Sequence, residues 1–188
     1  YKSSKEILNL TNIIAVFGTN VNKKILLAAH WDTRPYADLD PNPKNRQTPI
    51  LGANDGASGV AVLLELARIF KLNPPPIQVI IVLFDGEDYG KTTNEMFLGS
   101  RHFAKNINPN WIPDYGILLD MIGDKDLNIY IEQNSLAFAP RVVELVWEKA
   151  KQLGLKNFYN KIGQAILDDH IPLLEIGIEC IDIIDFDY

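Results

Sequence analysis

Three acidic residues and one histidine lie at the ends of apolar runs, where they could form a metal site. His30 ends the run KKILLAAH, Glu87 and Asp88 follow IQVIIVLFDG, and Asp120 follows YGILL. Short runs rich in Ile, Leu and Val predict buried strands. Open α/β sheets bind ligands outside the carboxyl ends of their strands, so we expect these side chains to converge on one crevice. Carboxylates beside an imidazole are donors that metal ions such as zinc accept.

Asp55 is a further candidate, in the glycine-rich segment GANDGASG ahead of a long apolar segment. Asp is a preferred N-cap residue, so the position is typical of a helix start. The glycines on either side, Gly52 and Gly56, would also let the backbone approach another group closely. Both interpretations of Asp55, as a cap and as a functional group, stay open at this point.

The neighbours Glu87 and Asp88 offer two carboxylates at one strand end. One could bind a metal while the other moves protons, because these tasks need different pKa values. A solvated loop would explain the same pair without any chemistry. His30 and Asp32 form the pattern H-x-D, in which a carboxylate commonly orients a metal-binding imidazole.

The segment DDHIP holds three further candidates, Asp168, Asp169 and His170. A helix start with acidic caps and a structural histidine would explain them equally well. Asp120 differs, because a carboxylate among apolar neighbours is costly to bury without a partner. We therefore expect Asp120 to bind a ligand or a hydrogen-bond donor, and we expect His102, in the segment GSRH, to be structural.

Strands and helices alternate along the chain, which predicts an α/β fold. The predicted arrangement is a three-layer sandwich around a central, mostly parallel mixed sheet. The segment VAVLLELARIFKL has apolar residues on every face and predicts a well-buried helix. Further helices are predicted over GSRHFAKN, PRVVELVWEKAKQLGL and part of LDDHIPLLEIG, and strands over 13–17, 24–29, 77–84, 116–119, 128–132 and the segment IECIDIID.

Length and composition favour a globular domain. The chain has 188 residues, of which 47% are hydrophobic, and this suits one domain over residues 1–188. The formal net charge is −6 and no basic cluster is longer than Lys23-Lys24, so nothing indicates a nucleic-acid partner. No apolar run reaches the length of a membrane span. The single cysteine, Cys180, lies in an apolar stretch and is expected in the core.

Six segments follow one another in a specific order: AAHWDTRP, GANDGASGVAVLLELAR, FDGED, GSRHFA, LLDMIG and DDHIPLL. As a set they resemble the zinc-dependent glutaminyl cyclases and the related zinc aminopeptidases, from about Asn12 to Tyr188. The resemblance implies a zinc-aminopeptidase-like (phosphorylase/hydrolase-like) fold, zinc as cofactor, and peptide or protein N-termini as substrates. It also implies an extracytoplasmic or secreted location, and a single catalytic domain over residues 1–188 whose N- and C-terminal parts are missing.

For metal binding, the resemblance implies Asp55 and Asp88 as zinc ligands. Asp88 is shorter than the usual glutamate, so zinc or the backbone must shift to keep a bond of about 2.0–2.2 Å. A further histidine ligand is expected beyond Tyr188. His30 matches a histidine that binds a second metal in the aminopeptidases.

For catalysis, the resemblance implies Glu87 as general acid and base, with Asp120 and Asp168 as two buried acids near the substrate. The implied enzyme is a glutaminyl-peptide cyclotransferase, which converts N-terminal glutamine to pyroglutamate and releases ammonia. The same residues with two metals would make a di-zinc aminopeptidase that hydrolyses N-terminal residues. A non-catalytic peptide-binding homologue is a third possibility, if the whole protein also lacks the further histidine.

Overall fold

A five-stranded sheet is the centre of the computed structural model, which describes residues 1–2, 7–19 and 22–187. Its strands are β1 (Ile13–Phe17), β2 (Lys24–His30), β3 (Gln78–Phe84), β4 (Tyr115–Asp120) and β7 (Cys180–Ile184). Their order across the sheet is β1-β3-β2-β4-β7. β1 runs antiparallel to β3, and all other neighbours in the sheet are parallel. The prediction of a mostly parallel mixed sheet is confirmed.

Helices cover both faces of this sheet. Helices α1 (Ala57–Leu72) and α4 (Pro140–Gln152) pack on one face, and α2 (Leu98–Asn106) and α5 (His170–Glu175) pack on the other. The predicted three-layer sandwich is therefore confirmed. Within the described ranges, no helix is both long enough and apolar enough to span a membrane.

The central strands are apolar along nearly their whole length because both faces of the sheet are covered. Every residue of β3 after the first is buried. Alternate residues of β2 serve the two layers, since Leu26 packs toward α2 and α5 whereas Leu27 packs toward α1. Cys180 is fully buried in β7, as the sequence predicts.

Helix α1 is less buried than the sequence predicts. Leu63 is fully buried, but Leu64 and Leu72 are 59% and 67% exposed. The prediction of a well-buried helix is wrong, because nothing in the described part of the chain covers the outer face of α1. On its inner face the helix lies very close to the sheet, since a Cβ on Gly59 would stand 2.3 Å from the carbonyl oxygen of Leu119.

A second, two-stranded sheet pairs β5 (Ile129–Ile131) with β6 (Phe158–Ile162). β5 lies within the predicted strand 128–132, whereas no sequence pattern predicted β6. Most residues of β6 are exposed, so the segment lacks the apolar pattern of the other strands. Helix α3 (Gln133–Phe138) was not predicted either, because six residues are too few to display a helical period.

Candidate active site

His30 is the centre of a group of side chains at the carboxyl edge of the sheet. It is the last residue of β2 and is almost completely buried. Its Nε2 lies 3.0 Å from Oδ1 of Asp55 and 3.2 Å from Oδ1 of Asp120. One donor atom from each of these three residues lies within 4.8 Å of the others, so a single cation could contact all three.

Asp55 joins this group because the start of α1 lies against the imidazole. A Cβ on Gly56 would stand 2.5 Å from both Cε1 and the carbonyl oxygen of His30, so only glycine allows this approach. Gly56 is the N-cap of α1, and no side chain caps the helix. The interpretation of Asp55 as a helix cap is therefore wrong.

Asp120, the last residue of β4, has partners for its buried carboxylate. Its Oδ1 accepts the N–H of Met121 at 2.8 Å and lies beside Nε2 of His30. Burial opposes charge on the imidazole, but hydrogen bonds with Asp120, Asp32 and Asp55 raise the pKa of His30 well above its usual value.

Asp32 connects the imidazole to the loop after β3. Nδ1 of His30 lies 3.1 Å from the carbonyl oxygen of Asp32 and 3.6 Å from its Oδ1. The two carboxylate oxygens of Asp32 accept the N–H groups of Glu87 and Asp88, at 3.0 Å and 3.2 Å. One carboxylate therefore helps to fix both the histidine and the two acids that follow β3.

Asp88 is bound by an arginine from the long polar loop after β2. Nη1 of Arg34 donates to Oδ1 of Asp88, while Nε and Nη2 of Arg34 donate to the two carboxylate oxygens of Asp38. Burial raises the pKa of Asp88 to about 6, although Arg34 opposes this shift. Asp88 stands outside the group formed by His30, Asp55 and Asp120.

Glu87 and Asp168 are buried acids that influence each other. Burial and the charge of Asp168 raise the pKa of Glu87 well above its usual value, against the opposing effect of His30. Burial and the charge of Asp120 raise the pKa of Asp168 to about 7. Buried carboxyl groups with raised pKa values are suited to general acid and base chemistry.

The segment that carries Asp168 is held by hydrogen bonds rather than by a helix cap. The N–H of Asp169 donates to Oδ1 of Asp168 at 2.5 Å, and Oγ of Ser100 donates to Oδ1 of Asp169 at 2.5 Å. Asp169 precedes α5 but makes no side-chain capping bond, so the acidic-cap interpretation is wrong. His102 is exposed on α2 and belongs to no candidate metal group among the described residues.

The donor set around His30 fits a metal ion. One imidazole nitrogen and two carboxylate oxygens, from Asp55 and Asp120, face a common position, and zinc accepts both kinds of donor. Among the described residues, no lysine or arginine forms an ion pair with these carboxylates. Because the carboxylates raise the pKa of His30, a cation would bind this group in exchange for a proton of the imidazole.

Sequence reasoning missed several residues that shape the site. Arg34 pairs with Asp88 across 54 residues of sequence, and no local sequence pattern predicts this pair. The hydrogen bond from Ser100 to Asp169 is equally remote along the chain. Asp182 could have been found from the sequence, because an acidic residue inside the apolar segment IECIDIID is costly to bury without a partner.

Known proteins similar to this chain include exopeptidases and glutaminyl cyclases. The solved structure of a Zn-dependent exopeptidase from Parabacteroides distasonis is 46% identical, with a TM-score of 0.91, over 96% of this chain and 65% of that one. That of a Tannerella forsythia glutaminyl cyclase is 43% identical, with a TM-score of 0.91, over 97% of this chain and 67% of that one. The aminopeptidase YwaD of Bacillus subtilis is 26% identical over 162 residues, which are 82% of this chain.

These relatives are longer than the chain. The chain spans 30% of the length of the Bacillus subtilis aminopeptidase and 65% of the Parabacteroides distasonis exopeptidase. The family model of peptidase family M28 matches residues 12–188, a range that includes every side chain of the site described above. The chain belongs to peptidase family M28.

Proposed function

We propose that residues 1–188 form a catalytic domain of a zinc-dependent glutaminyl-peptide cyclotransferase. The observation that carries this proposal is the buried carboxyl of Asp168, which interacts electrostatically with both Asp120 and Glu87. A set of three interacting acids suits a substrate with an amine that must be held and deprotonated. The similarity to the Tannerella forsythia glutaminyl cyclase supports the same reaction.

Zinc would be held by Asp55 and Asp88, together with the further histidine that the family resemblance implies beyond Tyr188. His30 is a candidate ligand for a second metal. When bound, zinc supplies a Lewis acid for the carbonyl group of the substrate. Arg34 and Asp32 would orient Asp88, through its carboxylate and its N–H respectively.

Glu87 would act as the general base and acid. Its carboxylate takes a proton from the α-amine of an N-terminal glutamine, and the amine nitrogen forms a bond to the side-chain amide carbon. The bond from that carbon to the amide nitrogen breaks, and Glu87 returns the proton to the departing nitrogen, which leaves as ammonia. The raised pKa of Glu87 suits both directions of transfer.

Asp120 and Asp168 would hold the amine. Because the attack is intramolecular and closes a five-membered ring, positioning supplies much of the rate enhancement. The raised pKa of Asp168 lets this pair share a proton, so that the two buried acids need not both be charged.

One observation favours a second candidate, a di-zinc aminopeptidase. The group of His30, Asp55 and Asp120 is close enough to hold one metal, and Asp88 lies near enough to interact with Asp55 electrostatically. In that reaction Glu87 would take a proton from the water that attacks the first peptide bond. Two metal ions would be needed for such chemistry, as Lewis acids that activate the water and the peptide carbonyl.

The proposed substrates are peptide or protein N-termini. An extracytoplasmic or secreted location is proposed on the family resemblance alone. The expectation that the protein has no nucleic-acid partner stays a prediction.

The test is a paired assay on the whole natural protein supplied with zinc. One arm measures pyroglutamyl formation and ammonia release from a glutaminyl peptide, and the other measures hydrolysis of leucyl and alanyl substrates. Glu87→Gln should abolish cyclisation, whereas Glu65→Gln, on the exposed face of α1, should leave it unchanged. Bound zinc is counted in parallel, with one equivalent expected for the cyclase and two for the aminopeptidase.

Each outcome of the assay supports one of the candidate functions. Cyclisation that requires Glu87 supports the cyclotransferase. Hydrolysis of leucyl substrate without cyclisation would replace it by the aminopeptidase. No activity in either arm, with the further histidine present, would favour a non-catalytic peptide-binding protein.

A further inference from the structure

A second group of buried ionisable side chains adjoins Asp168, and the proposed reaction does not use it. The group consists of His170, Asp182 and Glu132, none of which is more than 2% exposed. One donor atom each from Asp168, His170 and Asp182 lies within 4.8 Å of the other two. The imidazole of His170 is therefore close enough to act on the carboxyl of Asp168.

Glu132 lies beside one edge of this imidazole. Its Oε2 lies 3.4 Å from Nε2 of His170. The same carboxylate accepts the N–H groups of Asn134 at 2.8 Å, Ile166 at 2.9 Å and Ser135 at 2.6 Å. Burial opposes its ionisation, but His170 and these backbone donors lower the pKa of Glu132 to about 2. A carboxylate held by so many donors is a rigid anchor.

Glu132 also holds the chain that leads into Asp168. Ile166, which donates its N–H to Glu132, lies two residues before Asp168. The carbonyl of Ile166 accepts a hydrogen bond from Nδ2 of Asn134 at 2.8 Å. The carboxylate that holds the backbone leading into Asp168 therefore also lies beside the ring of His170.

The other side of the imidazole faces acids whose hydrogen-bonding capacity is unused. Nδ1 of His170 lies 4.0 Å from Oδ2 of Asp182. In the described part of the chain, hydrogen-bond partners are lacking for both carboxylate oxygens of Asp182, for Oδ2 of Asp168 and for both ring nitrogens of His170. An unpaired buried polar atom destabilises the fold. A small movement of the imidazole would bring a donor to these acids.

We propose that His170, anchored by Glu132, is a positioning residue that fixes the carboxyl of Asp168 in the orientation that the reaction requires. The inference rests on the proposed function for the role of Asp168. Oδ1 of Asp168 is held by the N–H of Asp169, whereas Oδ2 has only the nearby imidazole as a donor to pair with. Without the imidazole the carboxyl spends less time in the reactive geometry. Loss of His170 should therefore lower kcat rather than weaken substrate binding.

The test compares His170→Gln, Asp182→Asn and His102→Gln in the whole zinc-loaded protein. His102→Gln is the matched control, because it removes an exposed imidazole on α2. For each variant we would measure the melting temperature, the zinc content, and kcat and KM for a glutaminyl peptide as functions of pH. Proton NMR would follow the far-downfield signals of buried imidazole N–H groups.

His170→Gln should lower kcat by at least about tenfold while KM stays within about twofold. It should also move the ionisation seen in the pH profile of kcat/KM and remove one downfield imidazole signal. Asp182→Asn should shift the same signal and change kcat in the same direction by a smaller factor. His102→Gln should change none of these quantities.

A folded His170→Gln protein with the wild-type kcat and pH profile would overturn the proposal. Loss of one equivalent of zinc from this variant would also overturn it, by making the group a cation site. If His170→Gln does not fold, Asp182→Asn decides through the same readouts. Failure of the proposed function is recognised separately, because the wild-type protein would then hydrolyse leucyl substrate. In that case the variants would be compared by their kcat for this hydrolysis instead of their kcat for cyclisation. In a protein silent in both assays, a missing downfield signal from His170 overturns the inference.

Discussion

Arg34 joins Asp88 to Asp38, so that a proposed zinc ligand is tied to the long loop after β2. The guanidinium donates to Asp88 through Nη1. It also donates to the two carboxylate oxygens of Asp38, through Nε at 2.7 Å and through Nη2 at 3.2 Å. Lys91 adds a further contact, since its Nζ lies 3.3 Å from Oδ2 of Asp38. The orientation of Asp88 therefore depends on a residue that is not itself a metal donor.

Arg34→Ala should weaken zinc binding by about tenfold, because residues that orient metal ligands typically contribute this much. Affinity would be measured by competition with a chelator, which needs no enzymatic activity. Arg68→Ala is the control, since Arg68 pairs with Glu65 on the exposed surface of α1. Tighter zinc binding in Arg34→Ala would contradict the prediction and show that the guanidinium competes with the ion for Asp88.

Asp32→Asn should lower kcat by roughly 10- to 100-fold with little change in the melting temperature. Burial opposes its ionisation, but His30 and the N–H groups of Glu87 and Asp88 lower the pKa of Asp32. An amide can accept from only one of the two N–H groups, so Glu87 or Asp88 would move. Steady-state kinetics of the variant would be compared with Asp126→Asn, an exposed position. Equal kinetics for the two variants would contradict a role for Asp32.

Gly56→Ala should destabilise the fold by about 2 kcal/mol, because the new methyl group overlaps the ring and carbonyl of His30. It should also weaken metal binding, since the imidazole must move. Gly154→Ala is a useful comparison, because its Cβ would meet no atom within 4 Å and only the backbone φ of +69° opposes it. That variant should lose about 1 kcal/mol and keep its metal affinity. Chemical denaturation and metal titration would separate the two effects.

Glu132→Gln should remove a pH-dependent part of the stability. The folded pKa of about 2 lies below the ordinary value of 4.5, so ionised Glu132 stabilises the fold at neutral pH. This contribution, roughly 2–3 kcal/mol, is fully present above pH 4.5 and is lost as the pH falls toward 2. Urea unfolding between pH 7 and pH 3 should show the two proteins converging as the pH falls. Parallel stability curves would contradict the assigned pKa.

The sheet could be predicted because its strands are buried on both faces and therefore stand out as short apolar runs. Strand β6 was not predicted, because its composition has no strand pattern and it is extended through its pairing with β5. Helix α1 was recognised, but its burial was overestimated, because apolar residues such as Leu64 lie on its outer face. Local pattern reports the presence of an element better than it reports what packs against it.

For the site, too, some contacts could be predicted from the sequence and others could not. The convergence of His30 and Asp120 follows from the rule for strand ends, and their 3.2 Å contact agrees with it. The partners that orient site residues are different, because Arg34 reaches Asp88 and Glu132 reaches His170 through tertiary contacts between distant segments. Only a folded chain reveals such pairs, and the roles assigned to the site residues stay predictions until the variants are measured.

The three side chains of the His30 group come from positions 30, 55 and 120, at the ends of two neighbouring strands and the start of α1. They meet only after β2, β4 and α1 have assembled, so an unfolded chain offers no comparable site. A cation that binds only the folded chain adds about 2.7 kcal/mol to the free energy of unfolding at a hundredfold excess over its Kd. Metal supply would therefore add to the stability of the folded chain, and thermal unfolding would report ion binding even in a variant with no activity.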